Sequence, residues 1–210
     1  MTSEVRIVPR GTSDTVDGAR RNGVRVDSTR DAPVGRSVAI AGEGLTIEVA
    51  PHRCFACGAL NEHGIHLELH VDGDRCWTEL ALPERFQGWD GIAHGGVICT
   101  ILDEVMAWSL AATDNWGLTA RMAVEFKRPV QLGVPIRGEG WVSATRRRLV
   151  DTAGRIVDPA TGDVLATATA TYVAAGAERK RELQARYRFR LTSNDGRAAT
   201  GDTAAGANPG

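Results

Sequence analysis

From Val97 to about Thr113 the chain is apolar on nearly every face, with Val97, Ile98, Ile101, Leu102, Val105, Met106, Trp108, Leu110 and Ala112. A helix of that length spans about 25 Å, and one that is apolar all round belongs inside a protein, so the rest of the chain has to wrap it. The flanking residues have the period of such a wrapper. Ile65, Leu67, Leu69 and Val71 alternate with His66, Glu68 and His70, which predicts a strand. Asp72-Gly73-Asp74 then turns the chain into a partner strand over Arg75 to Leu82, which Pro83 ends. After the helix, β-type runs cover about Ala120 to Phe126, Pro135 to Thr145, Arg147 to Val157 and Val164 to Val173, with turns expected at Asp151 to Gly154 and Asp158 to Asp163. One long buried helix followed by strands on short turns predicts an α+β domain, an antiparallel sheet wrapped around a central helix. No internal repeat and no Rossmann-type strand–helix alternation is present.

The residues that prefer interiors are concentrated in the same stretch. Nine of the 11 aromatics and all four cysteines lie between 45 and 175, which sets the expected domain at 45–175. Residues 1–44 lack aromatics and any sustained apolar period and read as a mobile extension. Their seven Arg are matched by six acids, unlike a transit peptide. Glu178 to Leu183 opens a short helix expected within 176–191, and 192–210 reads as a disordered tail.

Charge excludes some partners. The chain has 25 Lys plus Arg against 26 Asp plus Glu, and the 45–175 stretch is acidic, 11 against 16, so a nucleic-acid surface is not expected. No apolar run is long enough for a membrane span and no h-region marks a signal peptide, so the expected location is cytoplasmic, with reduced thiols.

Two features inside this frame carry chemistry. Asp103 and Glu104 sit side by side in the apolar helix, and a carboxylate among Ile101, Leu102, Met106 and Trp108 persists only if it is hydrogen-bonded, paired or facing a cleft or subunit boundary. His94-Gly95-Gly96 stands where the helix begins. Two glycines there let a ligand approach backbone N–H groups at the positive end of the dipole, a place that favours a developing oxyanion.

The order Phe86-Gln87-Gly88, His94-Gly95-Gly96, Asp103 nine residues after the histidine, Thr119 sixteen further on, and Phe126-Lys127-Arg128-Pro129-Val130 resembles the hotdog-fold thioesterases of the PaaI-like branch over about residues 52–174. Cys54-Phe55-Ala56-Cys57-Gly58 and Asn61-x-x-Gly64-Ile65 are similar to the N-terminal signature of many members. The resemblance implies hydrolysis of acyl-CoA thioesters, with Asp103 as general base or nucleophile and the Gly95 amide as oxyanion donor. Gly96 and His94 would support the turn or touch the carbonyl, and Thr119 would position the attacking water. It also implies a dimer, or a dimer of dimers, with each active site shared across the interface. The polar residue that the family places before the glycine pair is left open between Gln87 and Asp90.

Such chemistry needs an activated oxygen and a stabilised oxyanion but no metal and no cofactor, coenzyme A being part of the substrate. Lys127, Arg128, Arg146, Arg147 and Arg148 are the candidate cations for its phosphates. Trp89, Trp108, Trp116 and Met106 are candidates for an acyl pocket or for core. His52, Cys54, Cys57, His63, His66 and His70 are dense in potential ligands, yet a second Cys-x-x-Cys pair is missing and a tight turn with small buried thiols is the expectation. A dehydratase would pair its acid with a histidine in the helix region, and no histidine follows Asp103. The competing function is an acyl-CoA-binding or scaffolding module that does not hydrolyse its ligand.

Overall fold

The computed structural model describes residues 36–41, 45–111, 115–187 and 190–193. In chain order the elements are β1 (Arg36–Ala41), β2 (Leu45–Val49), β3 (His70–Asp72), β4 (Arg75–Ala81), β5 (Gln87–Trp89), β6 (Ile92–Ala93), α1 (Gly95–Trp108), β7 (Gly117–Phe126), β8 (Pro135–Arg146), β9 (Leu149–Val157), β10 (Val164–Ala174), α2 (Ala177–Tyr187) and β11 (Arg190–Ser193). Six strands in the order β3-β4-β8-β9-β10-β7 form an antiparallel sheet. Beside β3 the sheet continues through β1, which runs parallel to it, and then antiparallel through β2 and β11.

The apolar run is buried as its composition requires, though the helix stops at Trp108, capped by Ser109, short of the expected Thr113. Helix α1 packs against β4, β7, β8, β9 and β10, and Ile101, Leu102, Val105 and Met106 are fully buried. One stripe, Cys99, Thr100, Asp103, Glu104 and Ala107, stays half-buried, so the helix is enclosed on all sides but one. The sheet comes close enough to α1 that Gly140 in β8 has no room for a side chain. A Cβ there would lie 2.6 Å from the backbone of Val105 and Met106. Backbone cannot rotate aside as a side chain does, so Gly140→Ala is expected to cost about 3 kcal/mol, read as a fall in the urea or thermal midpoint.

Three expectations about elements need correction. Ile65 to Leu69 keep their alternating burial but are not strand: Ile65 N–H donates to the Phe55 carbonyl and Leu67 N–H to that of Ala56, both at 2.9 Å, and His66 adopts φ 60°. Their hydrogen bonds go to the 55–57 turn instead of a ladder. Asp151 to Gly154 are not a turn but the middle of β9, where Val150, Thr152, Gly154 and Ile156 point inward. The chain turns earlier, at Arg147, which carries φ 56°. The stretch expected to be an extension, 1–44, contains β1, and β11 runs into the expected tail at Thr192 and Ser193; the rest of both segments lies outside the described residues. No helix among the described residues is long and apolar enough to cross a membrane.

Candidate active site

The start of α1 sorts the two glycine amides into different uses. His94 is the N-cap, extended at φ −63° and ψ 132°, and its Nδ1 accepts from Gly96 N–H at 3.0 Å. Gly96 is therefore engaged by the cap. Gly95 N–H, at the first helical position, has no acceptor among the described residues. It borders a cavity of about 310 Å³ walled by Ile92, Ile98, Phe126 and Val130, with Lys127 and Arg128 at its rim.

Asp103, two turns on, points to β7 and β10. Its Oδ1 accepts from Thr119 Oγ1 at 2.9 Å and from the Tyr172 hydroxyl at 2.9 Å. The same phenol is also 2.9 Å from the Asp103 carbonyl oxygen. Thr119 reaches this place because of a bulge: Thr171 pairs with Arg121 but Tyr172 pairs with Thr119, so Ala120 is skipped. Directly opposed residues share a face, and the extra residue sets Thr119 on the face of Tyr172 toward the helix. Burial first, then the Asp103 charge, pushes the Tyr172 phenol up, so it acts only as a donor.

Tyr172 was placed in the core by its composition and missed as a site residue. The available signal was that a buried phenol needs a partner, and a buried acid was already in view. Tyr172→Phe is expected to lower stability by about 1 kcal/mol, the loss of one buried hydrogen bond, read by unfolding.

Glu104, one residue and 100° further round, serves a different cluster. Trp108 Nε1–H donates to its Oε1 at 3.0 Å, and Cys54 Sγ lies 3.9 Å from its Oε2. Cys54 and Cys57 come from the turn that precedes the sheet, and Cys57 Sγ is 3.9 Å from His52 Nε2. Burial, then the neighbouring Cys54 charge, raises Glu104 to about 7. A hydrogen bond shared between the two sulfurs lowers Cys54 to about 5 and pushes Cys57 up.

The remaining expected residues fall into separate places. Gln87 Oε1 accepts from Gly91 N–H at 3.0 Å and closes the β5–β6 turn. Lys127 pairs with Glu125, and Arg128 with Asp163, both exposed, at the end of β7 beside Gly95. Arg146 and Arg147 are exposed in the β8–β9 turn. Phe126 faces Ala166 and Leu149 faces Val173, so the two groups of cations stand about 23 Å apart along the sheet. Within one chain the fold brings Asp103 and Thr119 together, but it separates Gly95 from Asp103 by eight residues of one helix, about 12 Å.

Parts of the chain are similar to known proteins. Residues 90–174 match the thioesterase superfamily. No curated protein matches the chain. Among solved structures, a thioesterase superfamily protein superposes with a TM-score of 0.54 at 26% identity over 58% of this chain and 60% of its own, so the match spans less than two thirds of that protein. Zebrafish thioesterase superfamily member 2 superposes with a TM-score of 0.51 at 17% identity, over 55% of this chain and 89% of its own. A Streptococcus mutans UA159 protein, solved bound to acetyl CoA, gives a TM-score of 0.50 at 17% identity, over 57% of this chain and 98% of its own. The last two share the fold.

Proposed function

We propose that the chain carries a hotdog domain of the thioesterase superfamily, the family matched over residues 90–174, and that it hydrolyses acyl-CoA thioesters as an oligomer built on a dimer. The observation that carries the reading is the Asp103 carboxylate at the open stripe of a buried helix, with two hydroxyls donating to Oδ1. Both hydroxyls bond Oδ1, and Oδ2 is the oxygen we assign to take the proton of an attacking water. The partner function, stabilising the oxyanion, falls to an N–H at a helix start, which is the open amide of Gly95.

These two groups are about 12 Å apart in one copy, and one carbonyl cannot meet both. Strand β7 supplies the way round. It is the outer strand of the sheet, ten residues long, with Leu118 and Phe126 exposed. Long open edges of this kind are covered in folded proteins. Thr119 marks the Asp103 end of β7 and Phe126 the Gly95 end. Two copies joined antiparallel along β7, with the two-fold near Met122 and Ala123, set Thr119 opposite the partner's Phe126. The partner's Gly95 then comes beside Asp103.

In that dimer the thioester carbonyl accepts from the N–H of the partner's Gly95. Water attacks the carbonyl carbon as Asp103 takes its proton, and collapse of the tetrahedral oxyanion breaks the C–S bond. The proton on Asp103 passes to the departing CoA sulfur, giving free acid and CoA. The partner's Lys127 and Arg128, at the rim of the Gly95 cavity, meet the phosphates. The resemblance to the PaaI-like branch agrees with this division of roles.

Thiol release from short-, medium-, long-chain and aryl acyl-CoAs tests the proposal. Turnover with at least one of them supports it, and the preferred acyl group describes the pocket. Saturable binding of acyl-CoA with no thiol released above background replaces it with a binding module.

A further inference from the structure

Outside the Asp103 site, the densest group of chemically capable side chains joins the 52–57 turn to helix α1. One atom from each of Cys54, Cys57 and Glu104, two sulfurs and a carboxylate oxygen, lies within 4.8 Å of the other two, and none of the three residues is exposed. We propose that these three residues bind a zinc-class divalent cation, pinning the turn to α1 one residue from Asp103.

The known spacing is close to what such an ion needs. Zinc bonds of about 2.3 Å to sulfur and 2.0 to 2.2 Å to oxygen at a tetrahedral angle put a sulfur and an oxygen about 3.5 Å apart. Cys54 Sγ and Glu104 Oε2 are already at 3.9 Å. Two sulfurs with one carboxylate form a soft donor set that favours zinc over magnesium or calcium.

The surroundings orient the donors as outer partners of a metal do. Trp108 Nε1–H holds Oε1 of Glu104 at 3.0 Å, which turns Oε2 toward the sulfurs. His52 Nδ1 accepts from Cys54 N–H at 3.2 Å, so a neutral imidazole carries its proton on Nε2, the nitrogen 3.9 Å from Cys57 Sγ. His52 is thereby a donor to a Cys57 thiolate. Cys54 and Cys57 also line, with His52, Trp108, Trp116 and Leu118, a cavity of about 250 Å³ through which an ion could enter. Binding moves the thiol protons to solvent and involves no electron transfer.

The turn is bonded to itself and to the 65–67 segment, and among the described residues no regular element holds it to α1. Its backbone bonds run Gly58 N–H to Cys54 and Leu60 N–H to His52, and the segment behind it is irregular as far as His70. A cation gives this irregular approach to the sheet a fixed point on the helix.

The test uses the full-length protein, reduced, stripped with chelator and freed of it, titrated with Co²⁺ alone. The expected result is one Co²⁺ per chain with thiolate-to-cobalt charge transfer in the near ultraviolet and intense tetrahedral bands in the visible, all bleached by one equivalent of Zn²⁺. Cys57→Ser is expected to abolish the charge-transfer band and Glu104→Gln to weaken binding at least tenfold. A reduced wild-type protein with four titratable thiols and no charge-transfer band overturns the proposal, as does a band that survives in the Cys54→Ser/Cys57→Ser double variant. If the variants do not fold, alkylation mapping of the wild type decides. Zn²⁺ then shields Cys54 and Cys57 while Cys99 reacts as before, and equal labelling of all three with and without Zn²⁺ overturns the site.

Discussion

A Gly95→Pro variant folds with stability within about 1 kcal/mol of the parent and loses about 10²- to 10³-fold in kcat, the range for removal of one oxyanion donor. The substitution deletes a single hydrogen atom of interest. Proline is favoured at the first helical position, where no intrahelical acceptor awaits the N–H. The residue before a proline is pushed into extended backbone, and His94 is already there at ψ 132°. A Cβ on Gly95 meets only the Phe126 ring, at 3.4 Å from Cζ. Thiol-release kinetics with a matched melting curve separate loss of the donor from loss of the fold. Wild-type turnover in a folded Gly95→Pro protein would remove Gly95 from the mechanism.

Asp103→Asn is expected to lower kcat about a hundredfold with little change in the affinity for acyl-CoA, because it removes a proton acceptor and keeps the shape. The amide still offers an oxygen to Thr119 and Tyr172, so the hydrogen bonds that place the side chain are retained. Combined with Gly95→Pro, the variant also locates the site. Each homodimer is inactive, but a heterodimer purified through two different tags contains one site with Asp103 of one copy and Gly95 of the other, both intact. It recovers about half of the wild-type rate, one site of two. A site completed within one chain would leave the heterodimer as inactive as its parents.

How much of this was legible in the sequence depends on whether the information is local. The buried helix was, because nearly every face from Val97 to about Thr113 is apolar, although it ends at Trp108, and so was the pairing of His94-Gly95-Gly96 with the helix start. The β8–β9 turn was misread, since Asp151 and Gly154 are residues that turns use. Gly154 serves another purpose there: it sits where a Cβ would press on the Glu139 carbonyl at 2.9 Å and Met106 Cγ at 3.1 Å. Tyr172 could not be assigned to Asp103 from its position 69 residues away, because its partner on β7 depends on a skipped residue. The carboxylates, adjacent in sequence, were expected to face neighbouring directions, but the sequence does not say that one meets two hydroxyls and the other two thiols. Nor does it say that Arg146 and Arg147 lie at the opposite end of the sheet from Lys127 and Arg128. Those facts are set by strand order and register, which no local period encodes.

The skipped residue in β7 divides one strand into two phases of alternation. From Arg121 to Phe126 the side chains keep step with β10, and from Thr119 back to Gly117 they run half a period out. A regular ladder would set Ala120 opposite Tyr172 and turn Thr119 away from the helix. The hydroxyl that meets Asp103 is therefore specified by a residue count as well as by a residue identity. Two chains with the same letters around this threonine, differing by one residue in the spacing that follows it, present opposite faces of the strand to the same carboxylate.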